Sequence, residues 1–265
     1  MFMIDLIKSL FLGIIEGITE WLPISSTGHM ILFNSLIGNG GFTASDLYLY
    51  VIQLGAILAV VTVFWNKLWP FSPKKTAEQK KQTWIMWFKV IVGILPSAVI
   101  GLLLEDLMEN FETDGVVGAM LILYGIAFIL IEQKKRTPRV KTIEQLTYKT
   151  ALYIGLFQCL AIIPGTSRSG ATILGAILIG CSRPMAAEYS FFLSIPIMAG
   201  ISFIKIVKNL DQLANVANVV VLLFGMIVSY IVSLLAVRFL MNYVKKHDFS
   251  AFGIYRIILG VIVIL

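Results

Sequence analysis

Long apolar runs, separated by short polar segments, dominate the pattern of the chain. Six of these runs approach the ~20 residues that an α-helix needs to cross the hydrocarbon core of a bilayer. We predict spanning helices at 46–66, 84–104, 115–131, 186–207, 214–237 and 249–265. The pattern therefore predicts an all-α polytopic membrane protein.

Two further apolar regions, about 2–37 and 149–180, are interrupted near their middle. The interruptions are Pro23-Ile-Ser-Ser-Thr-Gly28 and Pro164-Gly-Thr-Ser-Arg-Ser-Gly170. The half on either side of each interruption is short for a full crossing. Broken backbone at membrane depth is tolerated only where protein buries it or where it lines a wet cavity. We therefore predict that each region is a re-entrant helix–turn–helix hairpin.

The charges of the loops predict the orientation of these elements. Lys and Arg are concentrated in segments 67–83, 132–149 and 238–248, whereas segment 105–114 has five acidic residues and no Lys or Arg. The positive-inside rule places the three basic segments in the cytoplasm and the acidic one outside. The first hairpin then starts and ends outside, and the second starts and ends inside. The two hairpins are thus predicted to enter from opposite faces.

Similarity between the two halves supports the same arrangement. Gly13-Ile-Ile-Glu-Gly17 resembles Gly155-Leu-Phe-Gln-Cys159 at an offset of 142 residues, and Gly28 and Gly170 share that offset. We interpret 1–131 and 149–265 as inverted-topology repeats within a single membrane domain, residues 1–265. In such proteins broken helices meet near the midplane and place a polar site at the repeat interface.

Composition excludes the other broad classes of protein. Hydrophobic residues make up 58% of the chain and charged residues 14%, with a mean hydropathy of +0.89. A soluble domain is about 45–50% apolar and about 25% charged. The net charge of +6 comes from basic loops between the apolar runs, so it indicates membrane orientation and no nucleic-acid partner.

Ionisable side chains inside apolar segments are costly and are therefore candidates for function. Glu16 and Glu20 are four residues apart and share one helix face. The other candidates lie in or near the two interruptions: Ser25, Ser26, Thr27, His29, Thr166, Ser167, Arg168, Ser169 and Thr172. If the tips of the hairpins meet, all of these groups share one pocket.

This set of groups suits a phosphate ester. Arginine offers a planar fork of donors to phosphate oxygens, and helix N-termini offer free N–H groups. Carboxylates four residues apart can hold a hard divalent cation, and a hydroxyl beside an imidazole or carboxylate is a typical nucleophile with its base. Two structural interpretations stay open: Arg168 could pair with Glu16 or Glu20, and the hydroxyls could cap the half-helices.

Both interruptions also resemble the motifs of a known family. Glu16-Gly-Ile-Thr-Glu-Trp-Leu-Pro-Ile-Ser-Ser-Thr-Gly-His29 is similar to the first signature of the undecaprenyl-diphosphatase family, also called bacitracin-resistance proteins, and Pro164-Gly-Thr-Ser-Arg-Ser-Gly-Ala-Thr172 is similar to the second. The resemblance implies hydrolysis of undecaprenyl diphosphate to undecaprenyl phosphate, the recycled lipid carrier of peptidoglycan synthesis. It further implies an active site at the outer face of the bacterial plasma membrane, dependence on a divalent cation, and bacitracin resistance.

On this basis the candidate residues receive roles. The catalytic residues are Glu20, Ser26, His29 and Arg168. The phosphate-binding residues are Ser25, Thr27, Ser167, Arg168, Ser169 and Thr172. The ligands of a divalent cation, Mg²⁺ or Ca²⁺, are Glu16 and Glu20.

Alternatives remain for both the mechanism and the function. Ser26 is the preferred nucleophile, with His29 as its proton partner; in the alternative, Glu20 activates a water and Ser26 only binds phosphate. The alternative function is a polyprenyl-phosphate transporter or flippase, because inverted repeats with broken helices are typical of transporters. The expected partners are a polyprenyl diphosphate and membrane lipids, and a homodimer is left open.

Overall fold

The computed structural model describes residues 2–38, 40–109, 111, 113–134 and 136–265. In this part of the chain the regular structure is helical, apart from one parallel bridge between Val140 and Cys181. The α-helices are α1 (Phe2–Thr19), α2 (Ser26–Ile37), α3 (Asp46–Val51), α4 (Gln53–Val63), α5 (Trp65–Leu68), α6 (Ala77–Glu109), α7 (Asp114–Gln133), α8 (Tyr148–Gln158), α9 (Arg168–Ile179), α10 (Arg183–Lys208), α11 (Leu210–Leu213), α12 (Val216–Tyr243) and α13 (Ser250–Ile264). Short 3₁₀ segments lie at Phe42–Ala44 and Cys159–Ile162.

Five of the described segments are long and apolar enough to cross a membrane. They are Asp46–Val63, Ala77–Leu104, Asp114–Gln133, Arg183–Lys208 and Val216–Tyr243. Each overlaps one of the first five predicted spans. The chain is therefore an all-helical, multi-pass membrane protein.

Several helix boundaries differ from the sequence-based predictions, and α6, for example, begins at Ala77, inside the segment 67–83 that was predicted to be a loop. Helix α13 has 15 residues, so it is apolar but shorter than the other five segments, and its crossing stays a prediction. Helix α12 continues to Tyr243, and Arg238 therefore lies in a helix rather than in a loop. Helix α6 continues to Glu109, and no glycine or proline lies within 102–109 to end it earlier.

Two of the loops whose membrane side was predicted from their charge include residues that the structure does not describe. Asn110 and Glu112 of the predicted outer segment 105–114 lie outside the described residues, as does Lys135 of the predicted cytoplasmic segment 132–149.

Each interrupted region consists of a helix, a turn and a second helix. Helix α1 leads through a turn to α2, and α8 leads through its 3₁₀ extension and a turn to α9. The second helices α2 and α9 each have 12 residues and begin 142 residues apart. Because a proline lies in each turn and has no N–H to donate, the first helix of each pair cannot continue through it.

The two turns end in the same unusual backbone conformation. Ser25 and Ser167 have φ angles of 73° and 70°, which non-glycine residues rarely adopt. Each serine side chain accepts a hydrogen bond from the N–H three residues later, that of Gly28 at 3.4 Å or Gly170 at 3.2 Å. Strain of this kind persists only where the surrounding structure enforces it, and it concentrates at functional sites.

Helices approach each other closely where glycines line their contact. A β-carbon on Gly13 of α1 would meet the carbonyl oxygen of Gly225 of α12, and one on Gly155 of α8 would meet that of Gly93 of α6. Small residues let membrane helices pack with their backbones in contact. These contacts hold the first helix of each hairpin against a long helix of the other half of the chain.

The first turn and helix α9 both contribute to the largest cluster of buried hydrophobic residues in the described part of the chain. Trp21 from the first turn and Ala171 and Ile173 from α9 are fully buried there. The Trp21 ring meets that of Phe191 of α10 edge-on, with 5.2 Å between ring centroids. The polar residues of the two turns are therefore held on an apolar support.

Candidate active site

The structure brings the two interrupted turns together, as the sequence predicts. Arg168 donates to Oε1 of Glu20 from Nη2 at 3.0 Å and from Nε at 3.3 Å. The Ser169 hydroxyl donates to the carbonyl oxygen of Leu22 at 3.4 Å. Two side chains at the start of α9 thus contact the first turn.

The guanidinium of Arg168 is held from several sides. Its Nη1 donates to the carbonyl oxygen of Ser190 in α10 at 2.9 Å, and the group lies 6.0 Å from the centroid of the Trp21 ring. Only 13% of its side chain is exposed. The planar fork is therefore fixed in position, with Glu20 as its present anionic partner.

Glu20 also contacts the candidate nucleophile. The Ser26 hydroxyl donates to Oε2 of Glu20 at 3.1 Å, while Oε1 accepts from Arg168. One carboxylate therefore joins the guanidinium and the hydroxyl, each through a different oxygen. A carboxylate in contact with a serine hydroxyl can accept its proton when that oxygen attacks an electrophile.

His29 has different partners from the one that the sequence suggests. Its Nδ1 lies 2.7 Å from the carbonyl oxygen of Ser25, and its Nε2 lies 2.7 Å from the hydroxyl of Tyr255. Because a carbonyl can only accept, Nδ1 carries a proton in this arrangement. The Ser26 hydroxyl points to Glu20 instead, so Glu20 lies where the sequence analysis places the base His29.

Glu16 lies one helical turn before Glu20, and its side chain is completely buried. Within the described part of the chain, neither of its carboxylate oxygens has a hydrogen-bond partner. An unpaired buried carboxylate is costly, so these two oxygens fit a hard cation. Among the described residues, no three His, Cys, Asp or Glu side chains lie close enough together to hold a metal ion. A cation here would therefore need hydroxyl, carbonyl, water or substrate oxygens as further ligands.

The hydroxyls proposed to bind phosphate separate into two kinds. Ser167 and Ser169 are 3.2 Å apart at the tip of the second turn, and Thr27 is partly exposed at the start of α2. Thr172 is completely buried and is 2.6 Å from the Ser190 hydroxyl, one turn into α9. Thr172, Ser169 and Ser25 are therefore buried, whereas Ser167 and Thr27 are the partly exposed hydroxyls of this set.

Arg256 of α13 is a fourth charged residue of the site, beside Glu16, Glu20 and Arg168, and it was not among the residues predicted from the sequence. Its side chain is completely buried, and it donates to the carbonyl oxygens of Pro23 at 3.2 Å, Gly165 at 3.0 Å and Thr166 at 2.9 Å. One guanidinium thereby joins both turns. The signal was present in the sequence, because an arginine inside an apolar run is rarely without a function.

Comparisons with known proteins agree with this arrangement. Residues 9–262 match the family model of the bacitracin resistance protein BacA. The chain is 54% identical over 270 residues to the undecaprenyl-diphosphatase of Latilactobacillus sakei, covering 100% of this chain and 98% of the relative. It is 54% identical over 266 residues to that of Enterococcus faecalis (98% and 96% covered), and 53% identical over 267 residues to that of Acetivibrio thermocellus (99% and 98% covered). The chain belongs to the bacitracin resistance protein BacA family.

Proposed function

We propose that this chain is an undecaprenyl-diphosphate phosphatase. It releases phosphate from undecaprenyl diphosphate and returns undecaprenyl phosphate as the lipid carrier of peptidoglycan synthesis, an activity that also confers bacitracin resistance. The observation that carries the proposal is the contact of both signature turns through Glu20, which joins Arg168 to Ser26. Relatives that match the whole chain at more than half identity have the name of this enzyme.

In the proposed reaction Ser26 attacks the terminal phosphorus of the substrate. Glu20 accepts the hydroxyl proton, the new O–P bond forms, and the bond from phosphorus to the bridging oxygen breaks, with undecaprenyl phosphate as the leaving group. Arg168 donates to the phosphoryl oxygens, where negative charge develops. Water then cleaves the phosphoserine and releases phosphate.

The second version of the reaction uses water in the first step. Glu20 takes a proton from that water, and Ser26 donates a hydrogen bond to the phosphate without forming a bond to phosphorus. In either version His29 binds Ser25 and Tyr255, and its contribution is to hold the start of α2 in place.

Rapid quenching separates the two versions. After reaction with substrate labelled on the terminal phosphate, denatured protein retains one label per active molecule if Ser26 is the nucleophile. Ser26→Ala is the control, since it removes the oxygen that holds the label. Phosphate release at the normal rate without any labelled protein would support the water version.

We also propose a divalent cation, Mg²⁺ or Ca²⁺, between Glu16 and Glu20. The unpartnered buried oxygens of Glu16 support this assignment. When bound, the cation would withdraw charge from the diphosphate and make the leaving group more stable. The cation requirement is tested by phosphate release with and without a chelator.

For the position in the membrane, we propose six spanning helices, with α13 as the sixth, and two re-entrant hairpins in inverted repeats. The active site then faces the outer side of the bacterial plasma membrane. The asymmetry of Lys and Arg between loops supports this orientation. The paired turns with positive φ at Ser25 and Ser167, 142 residues apart, support the repeat.

The alternative function, a transporter or flippase for polyprenyl phosphates, rests on the paired broken helices. It predicts movement of lipid between leaflets, which needs a sealed bilayer. Hydrolysis needs no bilayer. Release of phosphate by the purified protein in detergent therefore supports the enzyme, and its absence there would favour the transporter.

A further inference from the structure

The contact between α1 and α12 is repeated between α8 and α6. In the first contact a β-carbon on Gly225 would meet the hydroxyl of Tyr48; in the second, a β-carbon on Gly93 would meet the hydroxyl of Tyr189. The glycines opposite them, Gly13 and Gly155, are 142 residues apart. The two helix pairs can therefore be compared residue by residue.

The comparison pairs Glu16 with Gln158. Each follows its contact glycine, Gly13 or Gly155, by three residues, and each is buried. Opposite them, a serine follows the partner glycine by four residues in both long helices, Ser229 in α12 and Ser97 in α6. Each contact thus combines a buried Glu or Gln with a buried serine.

The two pairs differ in their hydrogen bonding. The Gln158 amide donates to the Ser97 hydroxyl at 2.5 Å, which joins α8 to α6 directly. In the other pair, the Ser229 hydroxyl and both oxygens of Glu16 are buried, and none has a partner among the described residues. The backbone carbonyl oxygen of Ser229 would meet a β-carbon placed on Gly17, the residue that follows Glu16, so Ser229 and Glu16 lie at the same level of the α1–α12 contact.

Gln158 has an amide where Glu16 has a carboxylate, and this determines which partners each side chain needs. An amide brings its own donors, whereas an ionised carboxylate only accepts. Leaving several buried oxygens without partners is costly. A hard divalent cation would satisfy them together, because carboxylate and hydroxyl oxygens are the kind of ligand that it prefers.

We infer that Ser229 is a further ligand of the divalent cation proposed at Glu16 and Glu20. The Gln158–Ser97 pair is then the cation-free counterpart of this site in the other half of the chain. The inference rests on the cation of the proposed function, and it adds a ligand from a helix outside both signature motifs.

The test measures the melting temperature of the purified protein in detergent as Mg²⁺ or Ca²⁺ is added after chelation. In the wild-type protein we expect the cation to raise the melting temperature. Ser229→Ala should require about tenfold more cation or more for the same rise, the usual cost of losing a group that supports a metal site. In the chelator the variant should be as stable as wild type, since the lost hydroxyl has no partner.

Ser97→Ala is the matched control. It removes a serine from the same position of the other helix pair and leaves the Gln158 amide without its acceptor. We expect a lower melting temperature in the chelator with an unchanged response to the cation. The same cation response in Ser229→Ala and wild type would overturn the inference.

A second variant, Glu16→Gln, makes the α1–α12 pair chemically like the α8–α6 pair. The new amide should donate to Ser229, so the melting temperature in chelator should equal or exceed that of wild type, with no response to the cation. A lower melting temperature in chelator would contradict the comparison of the two pairs.

If the melting temperature of the wild-type protein did not respond to any cation, the proposed cation site would be wrong. Failure of the phosphatase proposal would be seen separately, as absence of phosphate release.

Discussion

At the residue scale, Arg168 is the group whose chemistry is hardest to replace. Its planar guanidinium donates from Nε and Nη2 to the Glu20 carboxylate and, at the same time, from Nη1 to the Ser190 carbonyl oxygen. A lysine keeps the positive charge but loses the fork. The phosphate-binding role and a purely structural role therefore predict different results for Arg168→Lys.

We expect Arg168→Lys to lower kcat/KM for undecaprenyl diphosphate at least about a hundredfold, or about 2.7 kcal/mol of transition-state stabilisation. The melting temperature should change little, because the ammonium can still reach Glu20. The matched control is Arg183→Lys. Arg183 forms an ion pair with the buried carboxylate of Glu132, away from the signature turns, so this variant should leave kcat/KM unchanged. Near-normal phosphate release from folded Arg168→Lys would show that the guanidinium does not bind the phosphate.

Arg256 gives the second prediction at this scale. Arg256→Met leaves the carbonyls of Pro23, Gly165 and Thr166 without their donor, so the two turns lose their common support. We expect a loss of about 2 kcal/mol or more in stability, seen as a lower melting temperature, together with a lower kcat. Arg238→Met, which removes an exposed arginine of α12, is the control and should change neither. An unchanged kcat in Arg256→Met would exclude a positioning role.

Among individual residues, the sequence predicted the members of the site better than their contacts. Glu20, Ser26 and Arg168 meet as expected, because they lie at the tips of two recognisable turns. The partners of His29 depend on features that a linear pattern does not contain. The Ser25 carbonyl faces it from one turn back along the helix, and Tyr255 comes from 226 residues away in the chain.

At the scale of elements, the glycine contacts determine how near the hairpins lie to the long helices. A β-carbon at Gly155 would overlap the backbone of Gly93, which cannot move without displacing α6. We expect Gly155→Ala to cost about 1–3 kcal/mol, as overpacking of a core does, and to lower the melting temperature in detergent.

Gly101→Ala is the control for this substitution. A β-carbon at Gly101 meets no atom within 4 Å, and alanine has the higher helix propensity, so the melting temperature should stay the same or rise slightly. Equal melting temperatures for Gly155→Ala and wild type would contradict the close approach of α8 and α6.

Element boundaries were predictable where a residue breaks the helix and less so elsewhere. Pro23 and Pro164 marked both turns correctly, since proline has a definite steric effect. Acidic residues do not end a helix, and α6 therefore continues through 105–109, which the charge pattern had assigned to a loop. Arg256 was missed for a related reason, because the run 249–265 was interpreted by its average hydropathy.

At the scale of the whole molecule, the proposed inverted repeat depends on the side of the membrane on which each loop lies. Three segments long enough to span lie between the two hairpins, and an odd number of crossings puts the hairpins on opposite faces. The Lys and Arg asymmetry then predicts which face each one enters: it puts the loop between α5 and α6 in the cytoplasm and the segment between α10 and α12 outside.

Labelling of single introduced cysteines in intact cells measures this orientation directly. On a background in which Cys159 and Cys181 are replaced, Lys74→Cys should react with a membrane-impermeant maleimide only after permeabilisation, because the positive-inside rule predicts that segment 67–83 is cytoplasmic. Asp211→Cys, at an exposed position between α10 and α12, is the matched control and should react in intact cells. Both positions are exposed, so a difference between them reports the membrane side rather than burial. Labelling of both Lys74→Cys and Asp211→Cys from outside would contradict the three crossings between them and remove the basis for the inverted repeat, while the contacts among Glu20, Ser26 and Arg168 would still stand.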